Sequence, residues 1–290
     1  MIRHSERLPQ PALTGGLRTM TLPDGRQVLT LCGDNTRIAY DEIFVEQIYA
    51  MFGVDLPEGA TVFDVGANVG LAVLWVGDRI SQGTVHAFEP IPATFAALRA
   101  NVARHSRLDV RLHHAGASNR EGTAEFTFYP LTSTSSSMYP DDSPVAHEES
   151  NRFILGEIKR RLGPAVDLFP RWVSLGCAEV IRRWFQRSKR VACRLVRLSD
   201  SIRAAGVEQI DLLKLDVEGA EFDALAGIDD VHWPLIRQAI VEVHDGVESC
   251  QRMEQLLVER GFATHRYQQA PEVFARHWLI YGRRPAATRV

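Results

Sequence analysis

Long apolar runs are missing from this chain. No stretch approaches the roughly 20 residues that cross a bilayer as a helix, so no membrane association is expected. Cysteine is scarce: Cys32, Cys177, Cys193 and Cys250 stand far apart, with no CxxC pair. That spacing argues against a disulfide framework or a zinc cluster and for buried or idle thiols. A dominant charge is lacking too, since 33 Lys and Arg face 36 Asp and Glu, a formal −3 over 290 residues. The balance gives no case for nucleic acid as a partner. The opening residues, MIRHSERLPQPALTGG, hold prolines and charges but no apolar stretch. No signal peptide is expected there, and a cytoplasmic protein is. Internal repeats are absent. What the chain does have is 45% apolar residues, enough to bury a large core without staples.

The apolar residues are organised. LRTMTL and QVLTLCG flank PDGR, a hairpin with Pro23-Asp24-Gly25 as its turn. DEIFVEQIYAMFG places Ile43, Phe44, Ile48 and Met51 at helical spacing, ended by Gly53. From Ala60 onward short apolar runs alternate with helical stretches. The runs are TVFDV, GTVHAFE, DVRLHHAGA, IDLLKLD and QAIVEVHD; helices are expected around 69–79, 92–104 and 199–205, with EGAEFDALAG joining the last two runs. Such alternation predicts an α/β fold with a doubly wound, mostly parallel sheet. The last segment, GFATHRYQQAPEVFARHWLIYGR, reads as two strands joined through Gln269–Glu272, an antiparallel pair closing the sheet. The expected divisions are an N-terminal hairpin and helix over 1–57, a main domain over 58–130 and 191–290, and a helical insertion over 131–190.

The insertion begins with LTSTSSSMYPDDSP, read as a mobile loop, and continues as two helices broken at Gly163-Pro164. Val173, Cys177, Val180, Ile181 and Trp184 form an apolar stripe, with Arg182, Arg183 and Arg187 off it. From Arg152 to Arg194 eleven Lys and Arg face three Asp and Glu. Three readings stay open: a lid over an acceptor, a dock for an acidic carrier protein, or a helical decoration packed on the sheet edge.

The first strand-to-helix turn, DVGANVG, carries the chemistry. Ligands of open α/β sheets sit beyond the carboxyl ends of the strands. Gly66 and Gly70 lie there, where side chains would block close approach. A dinucleotide would put its pyrophosphate on the following helix N-terminus, and Asp64 would repel it. S-adenosylmethionine (SAM) has an α-ammonium and a sulfonium but no phosphate, so Asp64 would attract it. Glu89 ends the next strand and can accept both hydroxyls of a ribose. Asp216 and Glu218 follow the strand LLKL, and Glu242, His244 and Asp245 end IVEVHD. Acidic groups around one cleft suit a cationic sulfonium. The bland alternative is that Asp64 and Glu89 merely cap helices.

FDVGANVG, AFEPIPATFAALRANV, GASNREGTAEF, IDLLKLDVEGAEFDALAG and AIVEVH together resemble the FkbM family of SAM-dependent methyltransferases. The likeness covers roughly residues 40–130 and 190–282. It implies a Rossmann-like, class I fold and O-methylation of a hydroxyl on a sugar or natural product. It also implies that Asp64, Gly66, Asn68 and Gly70 line the cofactor, Glu89 its ribose, and Ala117 with Ser118 its adenine. Asp216 would lie near the methionine end. The basic insertion departs from the family's usual pattern and leaves the acceptor open, free or carrier-bound.

For catalysis, His244 is the first candidate base, its strand-end place facing the cleft; a structural histidine is the rival. Asp216 and Glu218 come second. No metal is assigned, although magnesium held by Asp216, Glu218, Glu242 and His244 is conceivable. His113 and His114 are adjacent, diverge on a strand and are not read as a ligand pair. Other readings are N-methyl or aminopropyl transfer in the same pocket, or a non-catalytic interaction module. Asp64 disfavours a nicotinamide-linked oxidoreductase.

Overall fold

A computed structural model describes residues 16–163, 166, 169–268 and 275–285. The joint expected at Gln269–Glu272, the residue Pro164 and the first fifteen residues lie outside them. Strand β1 (Arg18–Thr21) pairs antiparallel with β2 (Gln27–Thr30). Asp24 closes the turn by accepting from the Arg26 backbone N–H at 2.9 Å. The helix expected over Asp41–Gly53 starts earlier, as α1 (Gly33–Tyr40), and runs into a π-helical turn, Asp41–Val45. It breaks at Gln47, whose φ is +54°, before a short 3₁₀ stretch, Ile48–Gly53. Ile43, Ile48 and Tyr49 are buried. Apolar spacing therefore marked the inner face but not the break, because a left-handed glutamine leaves no local signal.

The doubly wound core follows as β3 (Ala60–Val65), α2 (Leu71–Gly77), β4 (Gly83–Phe88), α3 (Pro92–His105) and β5 (Asp109–His113). DVRLHHAGA, expected as one strand, is two. Ala115 N donates to His113 O at 2.9 Å across a tight turn, and β6 (Gly116–Ala117) joins a second sheet. There β6 and β7 (Gly122–Phe128) flank β8 (Lys189–Val196). Between β7 and β8 lie α4 (Pro144–Leu162) and α5 (Arg171–Phe185). The chain closes through α6 (Leu198–Ala205), β9 (Leu212–Leu215), α7 (Glu221–Ala226), β10 (Gln238–Val243), α8 (Gly246–Glu259), β11 (Ala263–Tyr267) and β12 (Trp278–Arg283).

The main sheet has the order β11-β12-β10-β9-β3-β4-β5. All neighbours are parallel except β12, which runs antiparallel to both β10 and β11. The expected α/β, doubly wound sheet with an antiparallel last strand is therefore present. Its alternation of faces sorts the core. Ala60, Val62, Leu212 and Ile240 pack toward α2 and the N-terminal elements; Phe63, Val65, Leu213, Leu215 and Val241 pack on the other face, with residues of α6–α8. Helix α2 has only seven residues, too few to persist alone, but Leu71 through Val76 are all buried. Each such side chain contributes about 1.5–3 kcal/mol.

Two expectations for the insertion change. The Ser/Thr run is folded rather than mobile: Ser133–Ser135 form a 3₁₀ turn, and Ser137 bridges Thr127 and donates its hydroxyl to Glu218 O. On α5 the stripe points partly outward. Val180 and Trp184 are exposed, as is Trp172, whereas Ala178 and Arg182 face inward. Arg182 is held by Glu179 and Gln186, so it does not present a free positive charge. Among the described residues no helix is long and apolar enough to cross a membrane.

The glycine turn shows which glycines the fold needs. Both have positive φ, Gly66 +83° and Gly70 +94°. A Cβ on Gly66 would sit 1.7 Å from Asp216 O, whereas one on Gly70 would meet the movable Leu98 Cδ1 at 2.8 Å. Gly66→Ala is thus expected to cost about 2–4 kcal/mol in urea denaturation, and Gly70→Ala less. Equal, small losses would mean that the turn yields freely.

Candidate active site

The carboxyl ends of β3, β4, β9 and β10 lie side by side. After β3, the N–H groups of Gly66 and Ala67 both donate to Phe88 O, at 3.0 and 2.8 Å, which binds the glycine turn to the end of β4. Asn68 has φ +48°, and its N–H donates to Glu89 Oε2 at 3.1 Å; Ile91 N–H donates to Glu89 Oε1 at 2.8 Å. Glu89 thus joins the turn to the start of α3. A carboxylate has about four acceptor positions, so two remain. Burial pushes Glu89 up to about 7, against the two backbone N–H groups that favour its charge. Ala117 and Ser118 are buried beside β8, with Ser118 N donating to Val196 O at 2.9 Å.

Asp64 is not the free carboxylate that its strand-end place suggested. The parallel register sets Asp64 directly beside Lys214. Lys214 Nζ lies 3.3 Å from Asp64 Oδ1 and 3.4 Å from Asp216 Oδ2, and donates to Gly66 O at 2.8 Å. Both Asp64 oxygens are buried, with no hydrogen bond to either. The pair is therefore an ion pair rather than a hydrogen bond. Burial raises the Asp64 pKa and Lys214 opposes it; burial would lower Lys214, but Tyr49, Asp64 and Asp216 hold it well above its usual range.

The second half of the site surrounds His244. Its Nδ1 lies 2.9 Å from Oε1 of the buried Glu221. Its Nε2 lies 3.6 Å from Glu218 Oε2, 3.6 Å from Glu242 Oε1 and 3.9 Å from Asp216 Oδ1. His277 meets the ring edge-on, centroids 4.9 Å apart. Burial would depress His244, but Glu218, Glu221 and Glu242 hold it well above the usual imidazole range. Burial raises Glu218 to about 8 and Glu242 to about 7, partly opposed by His244. The N-terminal segment adds Glu42, which burial and the nearby Glu242 push up to about 8.

The structure brings Asp64, Gly66, Asn68, Gly70 and Glu89 together at one turn, and Asp216, Glu218, Glu242 and His244 at its neighbour. The contact between Gly66 and Asp216 O joins the two. Lys214, Glu221, His277 and Glu42 were not read from the sequence. Lys214 had a signal: a lysine in the apolar strand LLKL must find partners, and period two places it on the face of Asp64. His277 had none. His113 and His114 diverge, one stacking on Phe88 and the other on Phe95.

A glycine turn and acidic strand ends on this sheet fit a class I, SAM-dependent methyltransferase. The chain belongs to the FkbM family: residues 64–264 match the profile of the methyltransferase FkbM domain. It is 36% identical over 246 residues to the 31-O-demethyl-FK506 methyltransferase FkbM of Streptomyces tacrolimicus, covering 85% of this chain and 89% of that one. It is also 37% identical over 224 residues to the AMB antimetabolite synthetase AmbE of Pseudomonas aeruginosa, covering 77% of this chain and 10% of that one. A crystal structure of methyltransferase FkbM from Methylobacillus flagellatus KT aligns with a TM-score of 0.48 at 12% identity, over 86% of this chain and 52% of that one.

Removing Lys214 tests the buried pair. Lys214→Met leaves Asp64 charged and unanswered and should cost about 3–5 kcal/mol in urea denaturation. Asp64→Asn in the same chain should restore much of that. A single-variant loss below about 1 kcal/mol would show that water reaches the pair.

Proposed function

We propose that the protein transfers the methyl group of SAM to a hydroxyl oxygen of a small natural-product acceptor. The observation that carries this reading is the join between the two halves of the site, through Gly66 and the Asp216 carbonyl. A cofactor on the glycine turn would then meet a carboxylate and imidazole cluster at its methionine end. The name of the FkbM relative, a 31-O-demethyl-FK506 methyltransferase, supports oxygen as the acceptor.

In this reading Gly66, Asn68 and Gly70 line the cofactor, Glu89 accepts from the ribose hydroxyls, and Ala117 with Ser118 borders the adenine. Asp216 stands near the methionine end. Asp64 acts as a positioning residue, holding the turn through Lys214. The acceptor oxygen forms the new O–CH₃ bond, the S–CH₃ bond breaks with its pair left on sulfur, and the hydroxyl proton is lost to the protein side. Much of the acceleration comes from holding the oxygen in line behind the methyl. His244, Asp216 and Glu218 are the acceptor-side residues that orient the hydroxyl and ease its proton away. The acceptor is a free molecule or one carried on a protein, since the AmbE match shows this kind of domain within a larger synthetase. The insertion, whose strap touches Glu218 O and whose Tyr139 OH donates to Asp223 at 2.6 Å, then serves as the cover of the acceptor side. The unpaired thiols Cys32, Cys177, Cys193 and Cys250 fit a reducing compartment such as the cytoplasm.

Glu89 makes the cofactor side testable by pH. Around it stand Lys214, Asp64 and the Cys193 thiol. Its pKa in the free protein is about 7, and ribose hydroxyls donate to the ionised form. S-adenosylhomocysteine should therefore bind with constant affinity above pH 7 and weaken by up to about tenfold per unit below it. Glu89→Gln should bind about tenfold or more weakly and show a flat profile. A wild-type titration calorimetry series without this slope would remove Glu89 from the ribose.

On the acceptor side, His244→Ala should lower turnover about 10²–10⁴-fold while leaving S-adenosylhomocysteine affinity nearly intact. A screen of hydroxylated and amine-bearing acceptors reads the transfer itself; methylation of amines alone would overturn the choice of oxygen.

A further inference from the structure

Among the described residues His244 is hydrogen-bonded at Nδ1 and finds no hydrogen-bond partner at Nε2. Its side chain is nine-tenths buried. Glu221 fixes Nδ1 at 2.9 Å, which turns Nε2 toward Glu218, Glu242 and Asp216. None of those three oxygens is within hydrogen-bonding reach: they stand at 3.6, 3.6 and 3.9 Å. Such gaps waste a buried donor if the pocket is only a salt-bridge network. They match something else. Two ligands on one ion, each about 2.1 Å from it, lie about 3.0 Å apart at a right angle, 3.4 Å at the tetrahedral angle and 4.2 Å when opposed.

The geometry points to a divalent transition-metal site, of the zinc and manganese class, centred on His244 Nε2. Two sets of ligand atoms meet there, Asp216, Glu218 and His244 on one side and Glu242, His244 and His277 on the other, each set lying within 4.8 Å of one another. One set holds two carboxylates and an imidazole and the other a carboxylate and two imidazoles, mixtures that favour zinc, iron or manganese over the all-oxygen shell of magnesium. Glu221, outside both sets, accepts from the other nitrogen of the imidazole and so orients it, as carboxylates do for metal-bound histidines.

The ion's chemistry rests on the methyl-transfer reading, whereas its site does not. With the acceptor hydroxyl as a further ligand, the ion lowers that hydroxyl's pKa and holds its oxygen toward the methyl group. The oxygen pair forms O–CH₃, the sulfonium keeps the pair of its broken S–CH₃ bond, and the hydroxyl proton passes to solvent. His244 then acts as a ligand rather than as the proton acceptor.

The test titrates the full chain, freed of metal by chelator, with manganese chloride. Free manganese is followed by its electron paramagnetic resonance signal, and S-adenosylhomocysteine binding is measured in parallel. One manganese per chain is expected, lost in His244→Ala and weakened about 10–100-fold in Glu221→Gln, with S-adenosylhomocysteine affinity unchanged in both. Glu242→Gln replaces His244→Ala if the latter does not fold, as judged by circular dichroism, and should also lose the ion. A chain that binds S-adenosylhomocysteine but takes up neither manganese nor zinc overturns the site, as does manganese bound equally well by the variants. A chain that takes up manganese but not S-adenosylhomocysteine keeps the site and overturns the methyl-transfer reading.

Discussion

One buried cation organises the working edge of this protein. Lys214 stands in the middle strand of the sheet, surrounded by Asp64, Asp216 and the Gly66 carbonyl. At 3.3 Å and an effective dielectric near 20, its attraction to Asp64 is about 5 kcal/mol. Burying two ions costs several kcal/mol each, so the net gain in stability is small. Position is what the pair contributes. The turn after β3 and the end of β9 share one ammonium and one carbonyl contact, and so they move as a unit. The glycine turn and the Asp216 end of β9 are then fixed relative to each other.

The features legible in the sequence were those written in local patterns. Alternating apolar runs and helical stretches gave the doubly wound sheet, because burial on both faces leaves a periodic trace. The glycines of DVGANVG and the acidic residues at strand ends marked the edge where ligands sit. Their partners were harder to see. Glu221 supports His244 from 23 residues away in the chain, and His277 reaches it from the residue before β12. Glu42 faces Glu242 from the N-terminal segment. Nothing local distinguishes these side chains from ordinary surface charge, because only the register of distant strands brings them in. Gly66 has a second reason that the sequence did not show: its missing side chain makes room for Asp216 O, the protein's own backbone.

Charge counting leaves the insertion open for a related reason. An excess of Lys and Arg along the chain says nothing about which are already answered. Glu179 alone takes up Arg182 and Arg183, and Asn151 donates to it as well. The outward residues of α5 are instead Trp172, Val180 and Trp184 beside Arg183 and Arg187. In the same way, a run of Ser and Thr looked mobile by composition but is tied down by Ser137, whose hydroxyl reaches across 81 residues to the Glu218 turn.

The placement of β12 sets the order in which the site can form. It follows β11 in the chain yet lies between β11 and β10, antiparallel to both. During synthesis β11 emerges with no strand to pair with, and β10 keeps an open edge at the end where Glu242 and His244 sit. Only when β12 slots in does that edge close, and with it comes His277. The last contact made in the sheet is therefore also the one that brings His277 against His244. A chain halted before Trp278 would hold a finished glycine turn beside an unfinished carboxylate and imidazole cluster.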